Sequence, residues 1–154
     1  MQIEIIAVDR LRSDWVRAGV TEYMARIERF CGIERKHVKP SKKAGSEALE
    51  DEGQRILKIA GTGSRDRLVA VTPRAESLAS EGWAALLDGW CIDGVGRAIF
   101  AVGGDDGLSP TVIAVADRSV ALGPQTLSHE LAQVVLVEQL YRAWTIIRGE
   151  PYHR

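Results

Sequence analysis

Cysteine is scarce in this chain of 154 residues: two are present, Cys31 and Cys91. That excludes a disulfide framework and a thiolate zinc site, and both read as small buried hydrophobes in a reducing compartment. Aromatic residues make up 6% and histidines number three. No apolar run approaches the length of a membrane span. The opening Met1-Gln2-Ile3-Glu4 has no basic segment leading into a long apolar stretch, so no signal peptide is expected. The expectation is a cytoplasmic protein without a membrane partner. Net charge is also nearly absent, at -1. General electrostatic attraction to nucleic acid is thereby excluded, and no DNA partner is expected.

What is present is an ordinary globular composition, 45% hydrophobic and 27% charged, in a length that suits one domain. Charge is unevenly spread. Residues 1–75 carry 15 Lys/Arg against 11 Asp/Glu, whereas residues 76–154 carry 5 against 10. The basic half contains Arg35-Lys36-His37-Val38-Lys39 and Lys42-Lys43, a cluster that could meet phosphates or simply face solvent.

Apolar runs at Ile3–Val8, Ile33–Val38, Leu68–Thr72, Arg97–Val102 and Ser119–Leu122 read as five strands. Helical spacing follows each of them. Ser13 or Asp14 starts a helix that Gly32 closes, and residues 46–60 form a second helix ended by Gly61. Ser77 to Trp90 makes a third. Ser109 with Pro110 opens a short fourth, where the missing proline N–H costs nothing. Ser128 caps a long last helix from His129 to Arg148. Alternating strands and helices predict one α/β domain with a mainly parallel sheet and helices on both faces.

Four segments could carry chemistry. Gly103-Gly104-Asp105-Asp106-Gly107 lies between an apolar strand and a capped helix, where open α/β sheets form ligand crevices. It matches neither nucleotide fingerprint, and its two aspartates suit a neutral or cationic ligand better than a polyphosphate. A tight structural turn explains it equally well. Leu122-Gly123-Pro124-Gln125-Thr126-Leu127 breaks strand from helix and exposes backbone groups able to bind a base edge; a plain connecting loop is the alternative. His129, in the first helical turn, reads as structural. In the last helix Val134-Val135-Leu136-Val137 is apolar all round, so it is central or partly covered by a second subunit. Glu138 and Arg142 form an i,i+4 pair, although Arg142 could also face a site. The closing Tyr152-His153-Arg154 offers stacking, a proton acceptor and a fixed cation.

These segments in this order resemble the ribosomal large-subunit methyltransferase H family, the small single-domain members of the SPOUT class. The blocks are Phe100 to Pro110, Thr126 to Leu131, Glu138 to Trp144 and Pro151 to Arg154, with Ile5 to Val8 and Trp15 also fitting. The resemblance implies S-adenosyl-L-methionine as cofactor and transfer of its methyl to N3 of a pseudouridine in 23S rRNA. It also implies the ribosome as the setting, a homodimer and a C-terminal trefoil knot. By matching position the cofactor would meet Val71, Gly103, Gly104, Leu122, Gly123, Pro124, Gln125, Thr126 and Leu127. The substrate side would hold Arg142, Tyr152, His153 and Arg154. There His153 is the candidate proton acceptor, and Arg142 or Arg154 would stabilise charge on the base. The chain departs from the family at Gln133, where arginine is usual, at Ser128, where proline is common, and at Asp105-Asp106. Another RNA base as target, or an idle RNA-binding assembly factor, are the alternatives.

Overall fold

The computed structural model describes residues 1–153; Arg154 lies outside the described residues. Five strands form one sheet: β1 (Gln2–Val8), β2 (Ile33–Val38), β3 (Asp66–Val71), β4 (Arg97–Val102) and β5 (Arg118–Val120). Their order is β2-β1-β4-β3-β5, and every pairing is parallel. The sheet is therefore fully parallel, which explains why its central strands are apolar on both faces.

Alternation along those strands divides the core in two. Ile3, Ile5 and Ala7 of β1, with Ala98, Phe100 and Val102 of β4, face α1 (Asp14–Ile27), α3 (Ser80–Ile92) and α5 (His129–Ile147). Ile6 and Val8, with Ile99 and Ala101, face α2 (Gly45–Ala60) and α4 (Pro110–Val115). Among the described residues no helix is long and apolar enough to cross a membrane.

Several boundaries differ from the sequence reading, and at two of them a tertiary contact takes the backbone first. Helix α1 stops at Ile27, not near Gly32, whose carbonyl already accepts the Ile3 N–H within the sheet at 2.8 Å. Helix α3 begins at Ser80, since Ser77 bridges Ala121 and the Glu76 carbonyl takes the Ala121 N–H at 3.0 Å. Strand β3 is Asp66–Val71, and β5 starts one residue earlier than expected, at Arg118, and ends two earlier, at Val120. Neither cysteine is fully buried: Cys31 is half-buried and Cys91 exposed.

Candidate cofactor cavity and the C-terminal segment

At the carboxyl ends of β3 and β4 the chain leaves toward opposite faces, α3 on one and α4 on the other. Such divergence opens a crevice in a parallel sheet. Here it holds a cavity of about 700 Å3, within the usual range for small-molecule sites. Val71, Gly103, Gly104, Leu122, Gln125, Thr126 and Leu127 all contribute to its wall. Gly123 and Pro124 belong to the same loop without lining the cavity.

The Gly-rich turn is held by its own backbone. Gly107 donates its N–H to the Gly104 carbonyl at 3.1 Å and sits at φ 86°. Leu108 is buried in the core beside α2 and α4, and Ser109 accepts the Val112 N–H at 3.2 Å as the cap of α4. The turn is thus anchored on both sides.

His129 joins this turn to the start of α5. Its Nδ1 lies 2.7 Å from Asp105 Oδ1, and an ionised carboxylate can only accept, so Nδ1 carries the hydrogen. The other ring nitrogen, Nε2, is buried without a partner among the described residues. His129 also lines the cavity. The sequence reading placed it as a structural residue; the contact with Asp105, far away in sequence, is what makes it a wall of the site.

Behind His129 the first turn of α5 is tied to the loop after β1. The Glu130 carboxylate accepts from the Ser13 hydroxyl at 2.6 Å and from the Arg12 N–H. The Ser13 bond foremost, then the Arg12 N–H, holds Glu130 below the ordinary carboxylate range. Gln133 is buried; its Oε1 accepts from Arg35 Nε at 2.8 Å, and its amide donates to the His129 carbonyl at 3.1 Å. Arg35 also reaches the Asp9 carbonyl at 3.2 Å.

The C-terminal segment occupies another part of the molecule. Tyr152 donates its hydroxyl to Glu138 Oε1 at 3.0 Å, lies 3.1 Å from the Tyr23 hydroxyl, and packs edge-on against Tyr141. Burial first, then these hydrogen bonds, pushes its phenol well above the usual range. Arg142 pairs with the same Glu138 oxygen at 2.6 Å and sits over the Tyr152 ring at 4.6 Å. His153 Nε2 is 3.1 Å from Glu81 at the start of α3. Arg142, Tyr152 and His153 are therefore gathered together, but none lines the cavity. Glu138 lies about 13 Å along α5 from His129 by helical rise. The Arg154 prediction falls outside the described residues.

Comparison with known proteins places this arrangement. A family profile described as "Predicted SPOUT methyltransferase" matches residues 1–153. Ribosomal RNA large subunit methyltransferase H of Anaeromyxobacter dehalogenans is 41% identical over 155 residues, covering all of both chains. The proteins of that name from Geotalea uraniireducens and Chromohalobacter salexigens are 36% and 35% identical, covering 99% and 100% of both chains. A probable methyltransferase from Bordetella pertussis Tohama I shares the fold at TM-score 0.55 and 16% identity, over 92% of this chain and 95% of that one. A probable methylase family protein from Haemophilus influenzae shares it at TM-score 0.59 and 10% identity, over 99% of this chain and 70% of that one. The chain belongs to the SPOUT methyltransferase family and, within it, to the ribosomal RNA large subunit methyltransferase H group.

Proposed function

We propose that this protein transfers a methyl group from S-adenosyl-L-methionine to N3 of a pseudouridine in 23S rRNA, acting as a homodimer on the assembled ribosome. The observation that carries the reading is the cavity at the ends of β3 and β4, where two glycine-containing loops supply backbone and apolar wall. Its residues fit the cofactor. Asp105 and Asp106 at the rim complement a cationic ligand, and the buried, unpartnered Nε2 of His129 leaves one polar atom of the wall for a ligand to bond. Val71, Gly103, Gly104 and the Leu122 to Leu127 loop would hold the cofactor. When bound, it supplies an electrophilic methyl on sulfur. What the chain itself must add is orientation, which can contribute much of the rate for an in-line displacement.

The substrate side needs loss of the N3 proton and a place for negative charge on the base. We assign these to His153 as acceptor, Arg142 or Arg154 as charge stabiliser, and Tyr152 as the group that stacks on or hydrogen-bonds the base. Within one chain Tyr152 and His153 are pinned away from the cavity, so these roles call for a second copy. A second copy also accounts for Trp15, 63% exposed on α1, and for the half-exposed Leu131 and Val135 on the adjoining α5. The trefoil knot implied by the family resemblance belongs to this same reading.

The test is transfer of tritiated methyl from the cofactor to ribosomes and to free rRNA, followed by mapping of the labelled nucleotide. Label on N3 of a single pseudouridine, stronger on ribosomes, is the expected result. Label on another base would replace the substrate assignment, and absence of cofactor affinity by calorimetry would leave a non-catalytic assembly factor.

A further inference from the structure

The basic cluster noted in the sequence does not act as one block, because the fold commits several of its members internally. Arg35 is turned inward onto Gln133 and the Asp9 carbonyl. Lys36 lies 3.1 Å from the buried Glu4 and 3.4 Å from Glu34. Arg55 of α2 is likewise spent, donating to the Lys39 carbonyl at 2.7 Å and pairing with Asp51 at 2.6 Å. These three cations hold β2, α2 and the loop between them in place.

Their commitment leaves the others free and shapes the surface that presents them. A groove of about 620 Å3 opens between the end of β2 and α2, bordered by His37, Lys39, Lys42, Lys43 and Lys58. All five are exposed. The acid in the groove, Asp51, is already occupied by the Ser41 hydroxyl at 2.6 Å and by Arg55. Arg10, also exposed, extends the line: its Nε donates to His37 Nε2 at 3.3 Å. Arg10 belongs to the loop after β1, and that loop is fastened at Arg12 and Ser13 to Glu130, next to His129 in the cavity wall. Positive groups therefore run from Lys58 through the lysines to Arg10, in the loop that is tied to α5 beside His129 of the cavity wall.

We propose that this line, made of Lys58, Lys43, Lys42, Lys39, His37 and Arg10, is the track on which the RNA sugar–phosphate backbone lies when the target base is presented at the cavity. It rests on the reading of the cavity as the methyl-donor site for an RNA substrate. With a net charge of -1 the protein has no general attraction for RNA, so affinity has to come from a local surface of this kind. Exposed lysines on a firm backbone suit phosphates as point charges, and the groove lacks aromatic side chains for reading bases. The track contributes binding and direction, not base choice.

The test is binding of the protein to ribosomes across a potassium chloride series at fixed magnesium, with S-adenosylmethionine affinity measured in parallel by calorimetry. Each phosphate contact contributes about 0.7–0.9 to the slope of log affinity against log salt. Lys42→Gln/Lys43→Gln is expected to flatten that slope by about 1.4–1.8, with cofactor affinity unchanged. Arg148→Gln, an exposed cation beyond α5, is expected to leave it unchanged. A normal slope in the double lysine variant, or equal flattening by Arg148→Gln, overturns the track. Absence of any salt-dependent ribosome binding by the wild-type protein would instead strike at the RNA reading itself.

Discussion

Replacing Gly103 by alanine tests whether the turn after β4 is shaped by backbone contact. A Cβ there would stand 2.1 Å from both the carbonyl carbon and oxygen of Gly107 and 2.7 Å from the Leu108 nitrogen. Ordinary contact begins at 3.4 Å, so relief requires a shift of about 1.3 Å. No side chain can swing aside, because the obstacles are all main chain. Displacing them means drawing Leu108 out of the core or losing the Ser109 cap on α4. Overpacking of this kind costs roughly 1–3 kcal/mol. For a domain of this size that lowers Tm by about 2–12 °C. Gly107→Ala is the control: its Cβ would meet open space, leaving only the left-handed backbone penalty of about 1–2 kcal/mol. Calorimetric melting gives the stability term, and cofactor titration at a temperature where both variants are folded gives the binding term. Gly103→Ala is expected to lose at least about tenfold in cofactor affinity, equal to about 1.4 kcal/mol, and Gly107→Ala less. A Gly103→Ala protein with wild-type Tm and wild-type affinity would refute the reasoning.

Three further perturbations check the frame around the site. Asp66 is held below its ordinary value of 3.8, chiefly by hydrogen bonds from Arg97, at 2.7 and 3.2 Å. Its contribution is therefore present above that value and disappears as pH falls through the lower folded value. Asp66→Asn should lower the urea midpoint at pH 7 and differ little from wild type near pH 2; an equal difference at both would contradict this. Burial pushes the Cys31 thiol up to about 11, whereas Cys91 is exposed. Iodoacetamide at pH 8 should modify Cys91 first, as read by peptide mass, and equal rates would remove the distinction. Gln133→Arg would set a second guanidinium against Arg35 in a buried place, at a cost of about 2 kcal/mol. Arg35→Gln/Gln133→Arg should recover much of that loss in a double-mutant cycle, and strictly additive changes would deny the pairing.

The fold was legible where the apolar pattern is strong. Ile3 to Val8 and Arg97 to Val102 read as strands because they are buried on both faces, and the structure places them at the centre of the sheet. Ser109 and Ser128 read as helix caps and act as such, accepting from Val112 and Leu131. Helix α1 starts where the sequence put it, at Asp14 after Ser13, but the cap bond expected of Ser13 and the start of α3 were less legible for a physical reason. Ser13 has a capping side chain, but Glu130 takes its hydroxyl, and Ser77 is captured by Ala121 before a helix can start there. Local propensity could not report either event, since both partners come from distant parts of the chain.

The same limit governs the site, and Gln133 displays it best. Read along the chain, Gln133 stands where the family resemblance implies an arginine, and it looks like the loss of a cation. In space, Arg35 arrives from β2 and bonds that glutamine, so a guanidinium still stands behind the first turn of α5. It lies between the Asp9 carbonyl and Gln133, whose amide in turn holds the His129 carbonyl. The consequence reaches the surface as well. Once Arg35 turns inward and Lys36 pairs with Glu4, the exposed lysines begin beyond β2, at Lys39. One long-range hydrogen bond thus supports the wall of the cavity and, together with the Lys36–Glu4 pair, sets where the exposed basic side chains begin.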